Sequence, residues 1–230
     1  MRTTPATRQF TDDPLSDDVL YDILDNARFG PNGGNRQGWH VIVLRDQERK
    51  EHIADLWDVG MREDRAFYDV GLVPFVASEA YRRNPPGQAS EQPVDLETAR
   101  STPRQDGRAE MAEVASKVPV ILLVCVDLSK VTAMDSGLGR LSISAGGSVY
   151  PFCHNILLAA RDHGYGGVVT TQLIRQEAAV KEYVGIPDDY ILAAAIPLGK
   201  PAKEITKLRR NPVEDFATLD HFDGPQFERP

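Results

Sequence analysis

Apolar and polar positions alternate along the chain in blocks that predict a small sheet with helices around it. The near-continuous apolar run at 118–126 is typical of a strand buried on both faces. Shorter runs at 40–44 and 190–199 predict two further strands, and 168–171 predicts a fourth. These blocks show no internal repeat, and too few strand–helix–strand units for a doubly wound fold. The pattern therefore predicts an α+β domain, with helices flanking a modest mixed sheet.

Helical periodicity accounts for most of the remaining apolar positions. Ser16 is a good N-cap for a first helix, whose apolar stripe begins at Val19 and Leu20. A second helix is predicted from about Asp46 into Trp57. A long buried helix is predicted over 144–163, where the glycines of 164–167 end it, and a short one over 177–183.

Two segments do not fit a compact core. Residues 61–117 form an excursion, and its polar stretch 84–107 carries four prolines, so we expect a lid over the functional site. The tail at 200–230 is polar, yet it keeps large apolar residues such as Phe216, Leu219, Phe222 and Phe227. About 30 residues cannot build a core of their own, so these side chains must pack on this subunit or on a second one. We expect a single domain over 1–230.

Composition narrows the function classes. The net charge of −8 and the pI of about 5.2 argue against a nucleic-acid or membrane-binding surface. The chain has neither an apolar run of about 20 residues nor a signal peptide, so we expect a cytoplasmic protein.

Cys125 and Cys153 stand in apolar stretches and are predicted to be inert core thiols. The five histidines lack metal-ligand spacing, so no metal is expected, and His154 is predicted to lie in the core.

Three polar spots could together hold an anionic, heterocyclic ligand. They are the segment 7–10, the loop 31–39 and the basic turn 207–212. Arginine binds phosphate through bidentate hydrogen bonds, and paired glycines let backbone N–H groups approach a ligand. Asn and Gln both donate and accept, which suits the edge of a ring with carbonyl and nitrogen atoms. Each spot alone is also typical of an ordinary surface loop.

Several motifs along the chain, in the order in which they occur, resemble those of the nitroreductase family of FMN-dependent oxidoreductases. The resemblance starts with Arg8-Gln9-Phe10 and the loop Pro31-Asn32-Gly33-Gly34-Asn35-Arg36-Gln37-Gly38-Trp39. It continues through the buried helix that ends at Gly164-Tyr165-Gly166-Gly167, then through Ile196-Pro197-Leu198-Gly199-Lys200-Pro201 and Arg209-Arg210-Asn211-Pro212. It covers almost the whole chain. It implies the nitroreductase-like fold and an intertwined homodimer with two FMN sites, in which the tail embraces the partner.

The resemblance also implies roles for individual residues. Arg8 and Arg210 match the cations on the FMN phosphate, with Lys207 and Arg209 as neighbours. Asn35 and Gln37 match side chains that meet the isoalloxazine or ribityl groups, and Asn32, Gly33 and Gly34 match the loop that runs along the flavin. Val169, Thr170 and Thr171 match the segment whose backbone passes the flavin near its reactive nitrogen. No catalytic side chain is assigned, because the cofactor carries the chemistry.

The implied activity is transfer of hydride or electrons from NADH or NADPH, through FMN, to a nitroaromatic, a quinone or a similar small-molecule acceptor in two half-reactions. Reductive dehalogenation and flavin fragmentation are alternatives within the same superfamily. A further alternative is a protein that binds FMN or a deazaflavin without turnover. Pro5 slightly favours this alternative, because family members often carry an arginine at that position. The chain also has Asn32 in place of the usual serine and Gly38 in place of the usual proline.

Overall fold

The computed structural model describes residues 1–69, 95–102, 111–134, 137 and 143–229. Within them, the helices are α1 (Asp17–Ala27), α2 (Gln47–Asp69), α3 (Leu96–Ser101), α4 (Met111–Lys117), α5 (Tyr150–Asp162) and α6 (Glu177–Val184). The strands are β1 (Trp39–Leu44), β2 (Val120–Asp127), β3 (Gly166–Gly167) and β4 (Tyr190–Gly199). Much of the predicted 61–117 excursion, at 70–94 and 103–110, lies outside the described residues.

The sheet has the order β1-β2-β4-β3, with antiparallel pairing between all of these strands. The predicted mixed character is limited to an isolated parallel bridge between Ala6 and Gly167. All eight residues of β2 are buried, as the apolar run predicts. Their side chains alternate between two core clusters, so that Ile121 and Leu123 face one and Leu122 and Val124 face the other. The central strand therefore separates two hydrophobic cores.

The first helix begins where the sequence predicts. The Oγ of Ser16 accepts a hydrogen bond from the N–H of Val19 at 3.3 Å, and so satisfies one of the free donors at the start of α1. The buried side chains of α1 include Leu20 and Ile23, which join the cluster that also contains Phe152 and Ile156 of α5. α1 and α5 thus cover one face of the sheet.

The second helix differs from its prediction. α2 starts at Gln47 and continues past Trp57 to Asp69, 23 residues in all. Its second half buries the carboxylates Asp58 and Glu63, which interrupt the apolar stripe by which helices are identified. Tertiary partners for these charges, and not a hydrophobic period, allow the helix to continue.

Two other elements are shifted relative to their predictions. The helix expected over 144–163 is a 3₁₀ turn at Ser144–Ser148 followed by α5, because Gly146 and Gly147 weaken helix formation and Pro151 suits only a first turn. The strand expected at 168–171 is β3 at Gly166–Gly167, joined by an isolated bridge between Thr170 and Ala195. His154 is exposed on α5, so its predicted core position is wrong.

The described parts of the excursion and the tail differ in burial. α4 contributes Met111, Val114 and Ala115 to the core, so the end of the 61–117 excursion belongs to the packed domain. The tail has a short 3₁₀ turn at Val213–Asp215 and a bridge between Thr218 and Gln226. Its aromatic side chains stay exposed, with Phe216 at 73% and Phe222 at 94%. None of the helices in the described ranges is long and apolar enough to cross a membrane.

Candidate functional site

The loop after α1 has an unusual backbone. The φ angles of Gly34, Asn35 and Gln37 are 63°, 51° and 48°. These values lie in the left-handed region, which residues other than glycine rarely adopt. The side chain of Asn32 braces the loop, because its Oδ1 accepts from the N–H of Gln37 at 2.9 Å and its Nδ2 donates to the carbonyl of Gly30 at 3.2 Å. Asn32 therefore shapes this loop, whereas Asn35 and Gln37 are exposed.

Two glycines fix the position of this loop on the domain. The N–H of Gly33 donates to the Oγ of Ser148 at 3.0 Å, which joins the loop to the 3₁₀ turn ahead of α5. A Cβ atom on Gly38 would stand 2.9 Å from the Cβ of Lys130, so the space at this position suits glycine. This close approach accounts for Gly38 where the family usually has proline.

The N-terminal segment is held in extended form beside β3. The N–H of Thr7 donates to the carbonyl of Gly167 at 2.9 Å, and the N–H of Ala202 donates to the carbonyl of Gln9 at 3.0 Å. A Cβ on Gly166 would come within 2.6 Å of the Oγ1 of Thr7, so only glycine permits this packing. Arg8, between these anchored neighbours, is exposed and has no side-chain partner among the described residues.

The segment Val169, Thr170 and Thr171 runs beside β4. Thr170 and Ala195 exchange both backbone hydrogen bonds, each at 3.0 Å. The Oγ1 of Thr170 is buried and, among the described residues, has no hydrogen-bond partner, as is also true of the Oγ1 of Thr4 and the Nε of Arg62. A buried hydroxyl without a partner costs free energy, and in native proteins such an atom usually has a missing ligand or water. The structure therefore leaves one covered hydroxyl without a hydrogen bond on the segment that the sequence predicts to face a flavin.

The basic turn is part of the exposed tail. Lys207, Arg209 and Arg210 are all exposed, and the Nη1 of Arg210 donates to the carbonyl of Arg209 at 2.6 Å. Within the part of the chain that the structure describes, no hydrogen bond joins these cations to the 32–37 loop. The structure thus brings the loop to the 3₁₀ turn and the N-terminal segment to β3.

Sequence reasoning missed a cavity of about 250 Å³ between β4 and the 3₁₀ turn. Its walls are mostly aliphatic, and its polar groups include Tyr150 and Glu177. The hydroxyl of Tyr150 donates to the carbonyl of Ala193 at 3.4 Å, and burial raises the pKa of this phenol. The Oε1 of Glu177 accepts from the N–H of Leu192 at 2.5 Å. Because the lining comes from several elements distant in sequence, no local motif could have predicted this cavity.

The buried carboxylate of Glu63 was also missed. It is 2% exposed, and its Oε1 accepts from the Nε of Arg100 at 2.6 Å and from the Nε2 of Gln176 at 2.9 Å. Its Oε2 accepts from the Nε of Arg175 at 2.9 Å. Burial alone would raise the pKa of Glu63, but these hydrogen bonds and the charge of Arg175 outweigh burial and lower it. The sequence signal for this buried ion pair would have been an acidic residue in the middle of a helix, with arginines available in two later segments.

The two cysteine thiols are buried and their pKa values are raised. Burial raises the pKa of Cys125 to about 11, with the charge of Glu177 adding to the effect, and burial raises that of Cys153 to about 12. Both thiols are therefore unreactive at neutral pH, as predicted for core cysteines. Among the described residues, no group of His, Cys, Asp and Glu side chains is arranged to hold a metal ion.

Comparisons with known proteins agree on the fold. The model of the "Nitroreductase family" matches residues 2–200. A nitrobenzene nitroreductase of Ectopseudomonas oleovorans is 23% identical, over 96% of this chain and 95% of the relative. A BluB-like flavoprotein of Clostridium difficile 630 superposes with a TM-score of 0.64 at 19% identity, over 94% of each chain.

An iodotyrosine deiodinase bound to FMN and 3-iodo-L-tyrosine superposes with a TM-score of 0.63 at 21% identity, over 96% of each chain. These structural likenesses agree with the observed helices around an antiparallel sheet. The loop at 31–39, the glycines before β3 and the end of β4 all lie in the region that the family model matches. With its α+β architecture and a family match over nearly its whole length, this chain belongs to the nitroreductase family.

Proposed function

We propose that this protein is an FMN-dependent oxidoreductase that passes reducing equivalents from NADH or NADPH to a small-molecule acceptor in two half-reactions. The observation that carries the proposal is the buried, unpartnered Oγ1 of Thr170 on the segment beside β4. A rotation of the Thr170 side chain would bring this hydroxyl to an oxygen or nitrogen at the edge of a flavin ring, which would provide the missing hydrogen bond. Membership of the nitroreductase family supports the same cofactor.

The predicted site residues fit the chemical parts of FMN. A phosphate needs cations, and Arg8, Lys207 and Arg209 carry side chains without protein partners among the described residues. A ring with carbonyl and nitrogen edges needs donors and acceptors, and the exposed amides of Asn35 and Gln37 supply both. Gly33 and Gly34 carry no side chain, so their backbone N–H groups could approach a flat ligand along the loop.

FMN supplies, when bound, reversible transfer of hydride or electrons between a nicotinamide and an acceptor. The contribution of this chain is to bind and orient. Arg8 and Arg210 would hold the phosphate, and Thr170 would fix the ring edge against a backbone that both hydrogen bonds to Ala195 make rigid. Loop 32–37 would cover the ring and keep water from it.

A homodimer is part of the proposal. Phe216, Leu219, Phe222 and Phe227 are 73%, 43%, 94% and 52% exposed. Several exposed aromatic side chains on one short segment mark an interaction surface. A second copy of the chain would bury this tail and would bring the basic turn at 207–210 to the partner or to its own site.

Nitroaromatic compounds and quinones are the proposed acceptors, and halogenated phenols are the second candidate class. The nitrobenzene nitroreductase covers nearly the whole chain and supports the first class. The deiodinase bound to 3-iodo-L-tyrosine supports the second, through the fold. The apolar cavity beside β4 measures about 250 Å³, and a cavity of about 150 Å³ already holds benzene, so one aromatic ring fits.

The proposal is tested by the absorbance spectrum of the purified protein and by anaerobic addition of NADH and of NADPH. A flavin spectrum that bleaches is the expected result. Reoxidation by nitrobenzene, a quinone or 3-iodotyrosine then separates the acceptor classes. A flavin that neither nucleotide bleaches would instead support a binding protein. A colourless protein that does not take up added FMN would contradict the cofactor assignment.

A further inference from the structure

Glu63 lies where three separate segments of the chain meet. The carboxylate belongs to α2, Arg100 belongs to α3 in the predicted excursion, and Arg175 and Gln176 belong to the 3₁₀ turn Gln172–Gln176. With 2% of its side chain exposed, Glu63 has little access to water. Its ionised form therefore depends on these three donors.

The turn that Glu63 holds follows directly after Thr171. Its first residue, Gln172, packs so closely on α2 that a Cβ atom on Gly60 would stand 2.5 Å from the Gln172 carbonyl oxygen. Its fourth residue, Arg175, stacks its guanidinium over the ring of Phe67 at 4.4 Å. The N–H of Ile174 donates to the carbonyl of Thr171 at 3.0 Å. Glu63 thus holds a turn that begins directly after Thr171 and is hydrogen-bonded to the Thr171 carbonyl.

On its other side, Glu63 anchors α3. Helix α3 has only six residues and buries none of them. Such a short helix is not stable alone, so its position depends on tertiary contacts. The bond from the Nε of Arg100 to Glu63, 2.6 Å long, is a charge-assisted contact of this kind.

We propose that Glu63 is a positioning residue that couples the docking of α3 to the placement of the Val169–Thr171 segment, so that cofactor binding and α3 docking stabilise each other. This inference rests on the proposed function for the cofactor, but the coupling within the protein does not. The physical basis is that one carboxylate binds both Arg100 of α3 and the pair Arg175 and Gln176 of the 3₁₀ turn. When the hydrogen bond from Arg100 is lost, Arg175 and Gln176 alone must satisfy the buried charge of Glu63. We expect the 3₁₀ turn that carries them to shift as a result. Linkage then requires the effect to be reciprocal.

The first test uses the protein without added cofactor. Hydrogen exchange is measured by mass spectrometry on peptides that cover 95–102 and 168–176, in the wild type and in Arg100→Ala. The Arg100 side chain is 53% exposed, so this variant is expected to fold. We expect faster exchange in both peptides. Faster exchange in 95–102 alone would overturn the coupling.

The second test measures FMN affinity and the spectrum of the bound flavin. Arg100→Ala is expected to raise the FMN dissociation constant by about 5-fold or more, which is the lower end of ordinary coupling energies. Arg100→Lys, which keeps a cation, is expected to restore part of the affinity. Added FMN should slow exchange in 95–102 of the wild type and should not do so in Glu63→Gln. An unchanged affinity in Arg100→Ala would overturn the inference.

The control is Arg45→Ala. Arg45 also joins two segments, through an ion pair with Asp17 at 2.8 Å and a hydrogen bond to the carbonyl of Leu15, but it has no contact with Glu63. It should change neither the 168–176 peptide nor the FMN affinity. If the wild type fails to bind FMN, the proposed function fails. The exchange experiment without cofactor still decides the coupling between α3 and the turn.

Discussion

Gly60 of α2 packs directly against Gln172, and a Cβ atom at position 60 would stand 2.5 Å from the Gln172 carbonyl oxygen. Gly60→Ala is therefore expected to destabilise the protein by about 1–3 kcal/mol, although alanine favours helix formation. The measurement is the free energy of unfolding in urea at a fixed protein concentration. Gly147→Ala is the matched control, because nothing lies within 4 Å of its added Cβ. Equal stability of the two variants would contradict the packing argument.

Arg210→Ala is expected to weaken FMN binding roughly 10- to 100-fold, which corresponds to the loss of a hydrogen bond between charged groups. The measurement is an FMN titration followed by fluorescence. Arg229→Ala removes another exposed arginine of the tail and should leave the titration unchanged. If both variants bind FMN like the wild type, Arg210 does not belong to the site.

Acid stability is expected to depend on Glu63. Its pKa is lowered in the folded protein, so the unfolded chain takes up the proton more readily. The stabilisation by Glu63 is thus fully present above the unfolded pKa, about 4.3, and is lost as the pH falls through the folded pKa. Unfolding free energies measured from pH 7 to pH 3 should fall more steeply in the wild type than in Glu63→Gln. Parallel curves would show that the carboxylate does not titrate with folding.

The tail is expected to control the oligomeric state. A chain that ends at residue 210 should sediment as a monomer at concentrations where the wild type is a dimer, because the exposed aromatic residues are removed. The double variant Phe216→Ser, Phe222→Ser should weaken the dimer with the tail still present. Asp223→Ser is the control with an unchanged apolar surface. A wild type that sediments as a monomer at micromolar concentration would contradict this prediction.

Both cysteine thiols are expected to resist modification. At pH 8, Cys125 and Cys153 should not react with Ellman's reagent in the folded protein, because burial raises their pKa values to about 11 and about 12. Both should react once the chain is unfolded. Rapid reaction of a thiol in the folded protein would mean that its part of the core opens easily.

Local features were predictable from the sequence, and features that depend on distant partners were not. The strand at 118–126 and the cap at Ser16 follow from neighbouring residues, so they were predicted within two residues. The second half of α2 was missed because Glu63 finds its partners 37 and 112 residues later in the chain. The loop 31–39 was recognisable as a motif, but the hydrogen bonds by which Asn32 braces it form only in the folded loop. The roles of Arg8 and Arg210 remain predictions.

The division of the interior by β2 has a consequence for evolution. Both faces of this strand serve a core, so neither alternate set of its side chains is free to vary. Of the predicted site residues, Val169 alone is among the side chains that pack against a core cluster, and the others stand on loops and chain ends. Mutations at the exposed cations Arg8, Lys207 and Arg209, which have no side-chain partner among the described residues, can therefore alter ligand choice at little cost to folding. A scaffold with this separation can acquire new substrates while its interior stays the same.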